Sequence, residues 1–209
     1  AHEELTELAE IVERRGAHVV SDEIHAPLTH RGATFTPYLS VSDAARRHGV
    51  AAASGSKAFN LAGLKAAMFV VDSEPMAQWL ATVPDAVSYR TGIMGLLATQ
   101  EGFRHATDWL DATIEVIESN IALLERQLAD KLPQVRFRRG SATYLAWLDM
   151  RDLDWGDDPA EHAAEHAKVA LSSGPTFGAG GAGFARMNLA CSPDTIVEAV
   201  DRLSSAARG

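Results

Sequence analysis

Along the first seventy residues, short apolar runs alternate with stretches in which apolar residues recur at helical spacing. The spacing from Leu5 to Val12, followed by Gly16, predicts a helix that ends near the glycine. A second short helix is predicted over Ser42–His48. Three apolar runs are predicted to be strands: residues 18–20, 50–53 and 66–71. Apolar strands separated by helices favour a parallel sheet that is covered on both faces.

After Glu74 the pattern is mostly helical at first and then mixed. Apolar residues three and four apart predict a long helix from Asp108 to Lys131, with one face packed on the protein. The next predicted elements are a strand at 143–148, an Ala-rich helix at 159–170, a Gly-rich loop at 174–183 and a strand at 184–190. Ser192 is expected to cap a final helix that begins with Pro193. The change in pattern near residue 112 predicts two domains, 1–112 and 113–209.

Composition and charge narrow the class of protein. The 209 residues are 46% hydrophobic and carry 19 basic against 28 acidic side chains, a net charge of −9. This acidic balance argues against a nucleic-acid-binding surface, which requires clustered cations. No run approaches the roughly 18 apolar residues of a membrane span, and the first residues do not resemble a signal peptide. Because Cys191 is the one cysteine and cannot form an internal disulfide, we expect a soluble, cytoplasmic α/β protein.

Three short motifs match known signatures but lack the context that those signatures need. Residues 178–183 match G-x-G-x-x-G, yet a strand is predicted after them, where a dinucleotide-binding loop needs a helix. Residues 162–166 match the zinc motif H-x-x-E-H, but no third ligand is evident and the acidic surroundings favour a solvated helix face. Residues 54–57 match S-x-x-K without the downstream S-D-N and K-T-G motifs of penicillin-binding enzymes. We therefore expect no metal site, and we interpret the Gly-rich loop as lying near a ligand.

Several polar residues could together form one binding site for a cofactor and its substrate. Asp22 follows the first predicted strand and Lys57 follows the second, and parallel-sheet enzymes bind ligands beyond the carboxyl ends of their strands. A lysine there can form a Schiff base, and an aspartate can keep a pyridinium nitrogen protonated for an electron-sink cofactor. Ser54 and Ser56, just before the lysine, offer hydroxyl and backbone N–H groups to a phosphate. Arg186 has the planar fork that binds a carboxylate through two parallel hydrogen bonds.

Four sequence motifs in this order carry a family resemblance. They are VSDEIH at 20–25, SGSKAFNLAGLK at 54–65, TYLAWLD at 143–149 and GFARMN at 183–188. Together they resemble the class I/II aminotransferase family, the fold-type I pyridoxal-phosphate (PLP) enzymes, and within it the cystathionine β-lyase-like C–S lyases. The resemblance implies an α/β fold in which residues 1–112 are the C-terminal part of the PLP-binding large domain, with a mostly parallel sheet between helices. Residues 113–209 would form a small C-terminal α+β domain.

The resemblance also implies a role for individual polar residues. Lys57 would bond to PLP and move the proton of the substrate Cα atom, and Asp22 would pair with the pyridine nitrogen. His25 stands where many relatives place a tyrosine near the 3′-oxygen of PLP. Arg186 would hold the α-carboxylate of the amino-acid substrate.

Three further residues are implied at the phosphate group of PLP. Ser54 and Ser56 would bind it, and Lys65 stands where many relatives have a phosphate-binding arginine. The glycine-containing loop that also holds the phosphate in the family, and the aromatic residue that stacks on the ring, have no counterpart in this chain. Since family members are considerably longer, we expect these 209 residues to correspond to the C-terminal half of such an enzyme.

The activity implied by the resemblance is β-elimination from a sulfur amino acid such as cystathionine, by a homodimer. Transamination is an alternative that uses the same residues. A non-catalytic module with the aminotransferase fold is a second alternative, known from transcription regulators that also carry a DNA-binding domain. The residues alone do not decide between these three functions.

Overall fold

The computed structural model describes residues 2–208 and divides the chain into two units at its longest helix. The first unit ends at Ala112 and the second begins at Thr113. The division lies inside helix α6, Thr107–Lys131, which is the long helix predicted from the spacing of apolar residues. No helix among residues 2–208 combines the length and the apolar character needed to cross a membrane.

The first unit contains a three-stranded sheet in the order β1-β2-β3. Its elements before α6 are α1 His2–Arg14, β1 Val19–Asp22, α2 Asp43–His48, β2 Gly49–Ala53, β3 Met68–Val70, α3 Glu74–Leu80, α4 Asp85–Ser88 and α5 Ile93–His105. The predicted helices over 5–12 and 42–48 are confirmed, and Ser42 caps α2 by accepting a hydrogen bond from the Ala45 N–H. Each of the three apolar runs predicted to be strands overlaps an observed strand.

The expectation of a parallel, fully covered sheet is wrong for the third strand. β1 and β2 are parallel, but β2 and β3 are antiparallel. The physical reason is the connection: residues 54–67 hold only a short 3₁₀ turn, Ala62–Leu64, so the chain reverses at one edge of the sheet instead of crossing back over it. All three residues of β3 are exposed in this chain, and Phe69 is 56% exposed.

A small apolar core joins α1 to α2 in the first unit. Its buried members and the partly buried side chains against them are Ala9, Tyr38, Val41, Ala44, Ala45, Leu5, Val19 and Leu39. The core contains one polar pair, because the Tyr38 hydroxyl lies 2.8 Å from Nε2 of buried His48. Nδ1 of His48 is buried and has no hydrogen-bond partner. Burial lowers the pKa of His48 and raises the pKa of Tyr38.

The second unit is built on a four-stranded antiparallel sheet in the order β4-β5-β7-β6. Its elements after α6 are β4 Arg136–Phe137, β5 Leu145–Asp149, α7 Pro159–His162, β6 Ser172–Ser173, β7 Phe184–Asn188 and α8 Pro193–Ala206. Apolar side chains of α6 and α8 are buried, among them Ile117, Ile121, Leu124, Ile196, Val200 and Leu203. The predicted cap is confirmed, since Ser192 accepts a hydrogen bond from the Thr195 N–H and Pro193 begins α8.

Three elements of the second unit differ from the prediction. The Ala-rich helix expected over 159–170 is one α-helical turn, α7, followed by a π-helical turn, Ala163–Ala167, which ends at Lys168 with a left-handed backbone (φ 56°). A left-handed residue cannot continue a right-handed helix, which explains the early end. The two-residue strands β4 and β6 are too short to show an apolar alternation, and neither was predicted from the pattern.

We expect the free energy of unfolding to decrease as the pH falls below about 6.5, the ordinary pKa of histidine. Because the pKa of His48 is lower in the folded chain, the unfolded chain binds more protons in this window and is favoured by acid. Glu13 opposes the shift, whereas His18 and Arg47 reinforce it. Urea unfolding at several pH values measures the effect.

The matched variants for this prediction are His48→Gln and His105→Gln. His105 is an exposed histidine at the end of α5. The first substitution is expected to flatten the pH dependence of unfolding, and the second to leave it as in the unmodified chain. An unchanged slope in His48→Gln would contradict the prediction.

Candidate active site

The candidate site lies at the carboxyl ends of the two parallel strands. β1 ends at Asp22, which is opposite Ala52 in the register of β1 with β2. β2 ends at Ala53, and Lys57 follows four residues later in the turn that leaves the strand. Because carboxyl ends of parallel strands meet at one edge of a sheet, Asp22 and Lys57 belong to the same edge.

Asp22 presents an exposed carboxylate at this edge. One of its oxygens accepts a hydrogen bond from the Ile24 N–H (3.1 Å), which fixes the side chain against the turn that follows β1. The next residue continues the pairing, since the Glu23 N–H donates to the Ala52 carbonyl (2.9 Å). Among residues 2–208 no hydrogen bond reaches the second Asp22 oxygen, so that oxygen can accept one from a ligand N–H.

Ser54 and Ser56 form a hydrogen-bonded turn in front of Lys57. Ser54 is 2% exposed, and its hydroxyl donates to the Ala66 carbonyl at 2.6 Å. The same oxygen accepts from the Ser56 N–H (3.0 Å) and lies 2.7 Å from the Ser56 hydroxyl. These bonds tie the start of the turn to the chain just before β3, and they position the half-buried Lys57.

The segment after Lys57 is anchored on helix α5 through one aromatic side chain. The Phe59 ring packs so closely on α5 that a Cβ atom on Gly102 would lie 2.7 Å from it. Phe103 contacts the same ring edge-on, with ring centres 5.2 Å apart. Only glycine allows this approach, and the anchor restricts the turn that carries Lys57.

His25 and Lys65 lie on the turns that flank this edge. His25 is half-buried and precedes a 3₁₀ turn, Ala26–Leu28, three residues after Asp22. Lys65 is exposed and has a left-handed backbone (φ 55°), directly before the Ala66 carbonyl that binds Ser54. A non-glycine residue in that conformation is disfavoured, and Lys65 is one of five such residues among those described.

Arg186 lies in the second unit, on β7. Its side chain is half-buried, and Nη2 donates to the Ser172 hydroxyl at 3.4 Å. Its guanidinium carbon stands 4.6 Å from the centre of the Phe177 ring. Among residues 2–208 Arg186 forms no ion pair with a carboxylate. Six of the seven residues predicted from the sequence to form the site therefore lie in the first unit. The seventh, Arg186, belongs to the second unit.

Two aromatic residues next to Arg186 were missed by the sequence analysis. Phe177 stacks on the guanidinium from the Gly-rich loop, and the positive charge of Arg186 acts on half-buried Tyr144. Burial has a larger effect on Tyr144 than the charge of Arg186, and it raises the pKa of the Tyr144 hydroxyl. The signal for Phe177 was an aromatic residue inside a Gly-rich loop, and Tyr144 stood in the motif at 143–149 without a role assigned to it.

The structure also shows which elements and side chains surround the three short motifs named in the sequence analysis. The G-x-G-x-x-G segment is followed by β7, so no helix N-terminus is present there for a pyrophosphate. His162 and His166 have ring centres 4.3 Å apart, and Trp155 stacks on the first; no group of three or more metal-ligating side chains occurs among residues 2–208. The buried, hydrogen-bonded hydroxyl of Ser54 is unsuited to the nucleophilic role of an S-x-x-K serine.

The α/β unit and the α+β unit of this chain match the fold of solved PLP-dependent enzymes, of which the chain covers about half. The chain belongs to the family aminotransferase class I and II, whose model matches residues 1–203. The family expectation is thereby confirmed.

Two curated relatives and one solved structure illustrate the similarity. The chain is 43% identical to a Mycobacterium tuberculosis protein named "Putative cystathionine beta-lyase", over 97% of this chain and 53% of that protein. It is 34% identical to cystathionine beta-lyase PatB of Bacillus subtilis, over 99% of this chain and 54% of that protein. It superposes on cystalysin from Treponema denticola, a structure that contains pyridoxal 5′-phosphate, with a TM-score of 0.91 and 27% identity, over 99% of this chain and 53% of that one. The chain thus spans about half the length of the curated relatives it matches.

Proposed function

We propose that this chain is the C-terminal half of a PLP-dependent C–S β-lyase that cleaves a sulfur amino acid such as cystathionine. The observation that carries the proposal is the placement of Asp22 and Lys57 at the carboxyl ends of adjacent parallel strands. The names of the relatives at 34–43% identity support the lyase activity. Residues 1–112 would contribute to the PLP-binding domain and residues 113–209 would be the small domain.

The donor set at the sheet edge fits PLP. The second oxygen of Asp22 can accept a hydrogen bond from a protonated pyridine nitrogen, and the Lys57 amine can bond to the aldehyde carbon. Ser56 and Lys65 would hold the phosphate, with His25 near the 3′-oxygen. Ser54 fits this role only if its hydroxyl turns away from the Ala66 carbonyl, so its first contribution is to hold the turn.

PLP, when bound, supplies an electron sink for the negative charge that develops at the substrate Cα atom. The residues of this chain would bind the substrate and move the protons. Arg186 would hold the substrate α-carboxylate through its guanidinium fork, Lys57 would remove the Cα proton, and Asp22 would keep a proton on the pyridine nitrogen. The Cβ–S bond then breaks with its electron pair on sulfur, which leaves as the thiol after taking up a proton. With one water consumed, the other products are pyruvate and ammonia.

Transamination is the second candidate function, and the family name favours it. It uses the same lysine, aspartate and arginine, but it returns the proton to a cofactor carbon instead of losing a group from Cβ. The products therefore separate the two functions. Elimination gives a thiol and pyruvate, whereas transamination gives a keto acid together with a new amino acid.

The wild-type protein, prepared as the longest natural polypeptide that contains this chain, is expected to release thiol, pyruvate and ammonia in equal amounts from cystathionine. Lys57→Ala is expected to abolish this release and the absorbance of covalently bound PLP, because Lys57 is the amine proposed to bond to PLP. A thiol reagent, a pyruvate assay and an absorbance spectrum measure the three quantities.

Lys168→Ala is the matched control for the lysine experiment, because Lys168 is an exposed lysine of the second unit whose amine donates to the Glu165 carbonyl. It should retain both absorbance and activity. Formation of a new amino acid without thiol would favour the aminotransferase, and unchanged absorbance in Lys57→Ala would refute the role of Lys57.

Asp22→Asn keeps the shape of the side chain but removes its charge. We expect kcat to fall by about 10²- to 10³-fold, the usual effect of removing one preorganised electrostatic contact, while the absorbance of bound PLP persists because Lys57 is intact. Steady-state assays measure kcat, and an absorbance spectrum measures bound PLP.

The control is Asp85→Asn, because Asp85 is an exposed aspartate at the start of α4. An equal loss of activity in both variants would contradict the role of Asp22.

We further propose a cytoplasmic homodimer. The single cysteine supports the reducing compartment, and the dimer is supported by large apolar side chains exposed in and just before α5: Tyr89, Ile93, Met94, Leu96 and Leu97. Sedimentation of the natural polypeptide is expected to give a dimer, and Met94→Asp is expected to shift it toward the monomer. Phe35→Asp, which charges an exposed apolar site outside α5, should leave the dimer intact. A wild-type monomer at micromolar concentration would contradict the proposal.

A further inference from the structure

One face of the sheet in the second unit carries two arginines on aromatic rings. The register places Trp147 opposite Arg186 and Asp149 opposite Phe184, so these side chains share a face. The alternate residues of the same strands, including Ala146, Leu148, Ala185 and Met187, are buried on the other face. The polar and aromatic side chains therefore form the outer layer of this sheet.

The first arginine of this face already has a carboxylate partner. Arg151 stands over the Phe184 ring, with 4.9 Å between its guanidinium carbon and the ring centre. It donates from Nε and Nη2 to the two oxygens of Asp149, at 2.8 and 2.7 Å. This forked contact lowers the pKa of Asp149.

The second arginine has the same kind of aromatic contact without the carboxylate. Arg186 stands over Phe177 at 4.6 Å, and its one described hydrogen bond goes to the Ser172 hydroxyl. A half-buried guanidinium that pairs with no carboxylate among the described residues of its unit is suited to an anion supplied from outside. Because the ring covers one face of the guanidinium, the planar edge is the direction from which a carboxylate can form two parallel hydrogen bonds.

Phe177 is itself held in place by the loop that carries it. The backbones of Gly174 and Gly181 approach so closely that a Cβ atom on Gly174 would lie 2.2 Å from the Gly181 carbonyl oxygen. Thr176 closes the same turn by donating to the Ser173 carbonyl (2.6 Å). The Phe177 ring meets Trp147 edge-on, with ring centres 5.4 Å apart. The loop turn and the Trp147 ring thus both restrict the position of the Phe177 ring.

We infer that Phe177 is a positioning residue that orients the Arg186 guanidinium for the substrate α-carboxylate. The inference rests on the proposed function for the identity of the substrate. A ring stacked on a flexible arginine reduces the number of side-chain conformations that must be lost on binding, and it adds cation–π attraction. Its loss should weaken carboxylate binding and leave the chemistry at Cα unaffected.

The kinetic test compares Phe177→Leu with Phe177→Tyr in the natural polypeptide. Leucine removes the π-system, and we expect KM for an S-substituted cysteine to rise about 3- to 10-fold with kcat within about 2-fold. Tyrosine keeps the ring and should restore the wild-type KM. The corresponding carboxamide substrate lacks the anion, so its KM should not respond to either substitution.

Trp155→Leu is the matched control, because it removes a stacked aromatic ring from the same unit without touching an arginine. Its KM should equal the wild-type value. Phe177 is 51% exposed, so its replacement removes little from the core, and circular dichroism verifies the fold. A wild-type KM in Phe177→Leu, a selective loss of kcat, or failure of tyrosine to restore KM would overturn the inference.

A second readout needs neither cofactor nor activity. In protein labelled with ¹⁵N-arginine, the Nε–H signal that disappears in Arg186→Lys reports on this side chain. We expect the Phe177 ring to shift this signal and acetate to move it further, with acetate affinity at least about 3-fold weaker in Phe177→Leu. Equal acetate affinities would overturn the inference even in an active enzyme. Absence of lyase activity in the wild type would instead contradict the proposed function and leave the acetate result to decide the role of Phe177.

Discussion

The parallel pairing of β1 with β2 is the constraint on which the candidate site depends. Side chains alternate between the faces of a strand, so the register that places Asp22 opposite Ala52 also determines on which side the carboxylate projects. A slip of one residue would turn Asp22 to the opposite face while the turn carrying Lys57 stayed in place. The hydrogen bond from the Glu23 N–H to the Ala52 carbonyl extends the ladder one residue past β1, and it therefore secures the register at the functional end of the strand.

The turn after β2 depends on the direction of β3. Since β3 returns antiparallel to β2, the Ala66 carbonyl comes within hydrogen-bond distance of the Ser54 hydroxyl. A buried hydroxyl that donates to a buried carbonyl contributes about 1 kcal/mol net, and a lost partner costs more because the carbonyl is left unsatisfied. Ser54 and Ser56 consequently hold the turn before Lys57 in place, a role that could not be inferred from the family motif. The Phe59 ring on α5 restricts the other side of the same turn.

The sequence predicted helices and strands well where a periodic apolar pattern ended at a recognisable residue. Gly16 after α1 and Ser42 before α2 are such endings, and the structure confirms both helices. The direction of β3 could not be predicted, because an apolar run reads the same in a parallel and an antiparallel pair. The π-helical turn after α7 was also hidden, since its alanines are equally compatible with a regular helix. The roles of Lys57 and Asp22 came from motif order and resemblance, whereas the hydrogen bonds of Ser54 required coordinates.

The two arginines of the second unit differ in the partners that the fold provides for their charge. Both lie on the outer face of the sheet, and each stands over a phenylalanine at nearly the same distance. Asp149, two residues before Arg151, accepts hydrogen bonds from its guanidinium, so the charge of Arg151 is paired within the fold. Arg186 has only a hydroxyl 3.4 Å away, and a neutral acceptor at that distance compensates little of the cost of partly burying its charge. The contact with the Phe177 ring offsets part of this cost, and the carboxylate that we propose as the ligand of Arg186 would supply the missing charged partner.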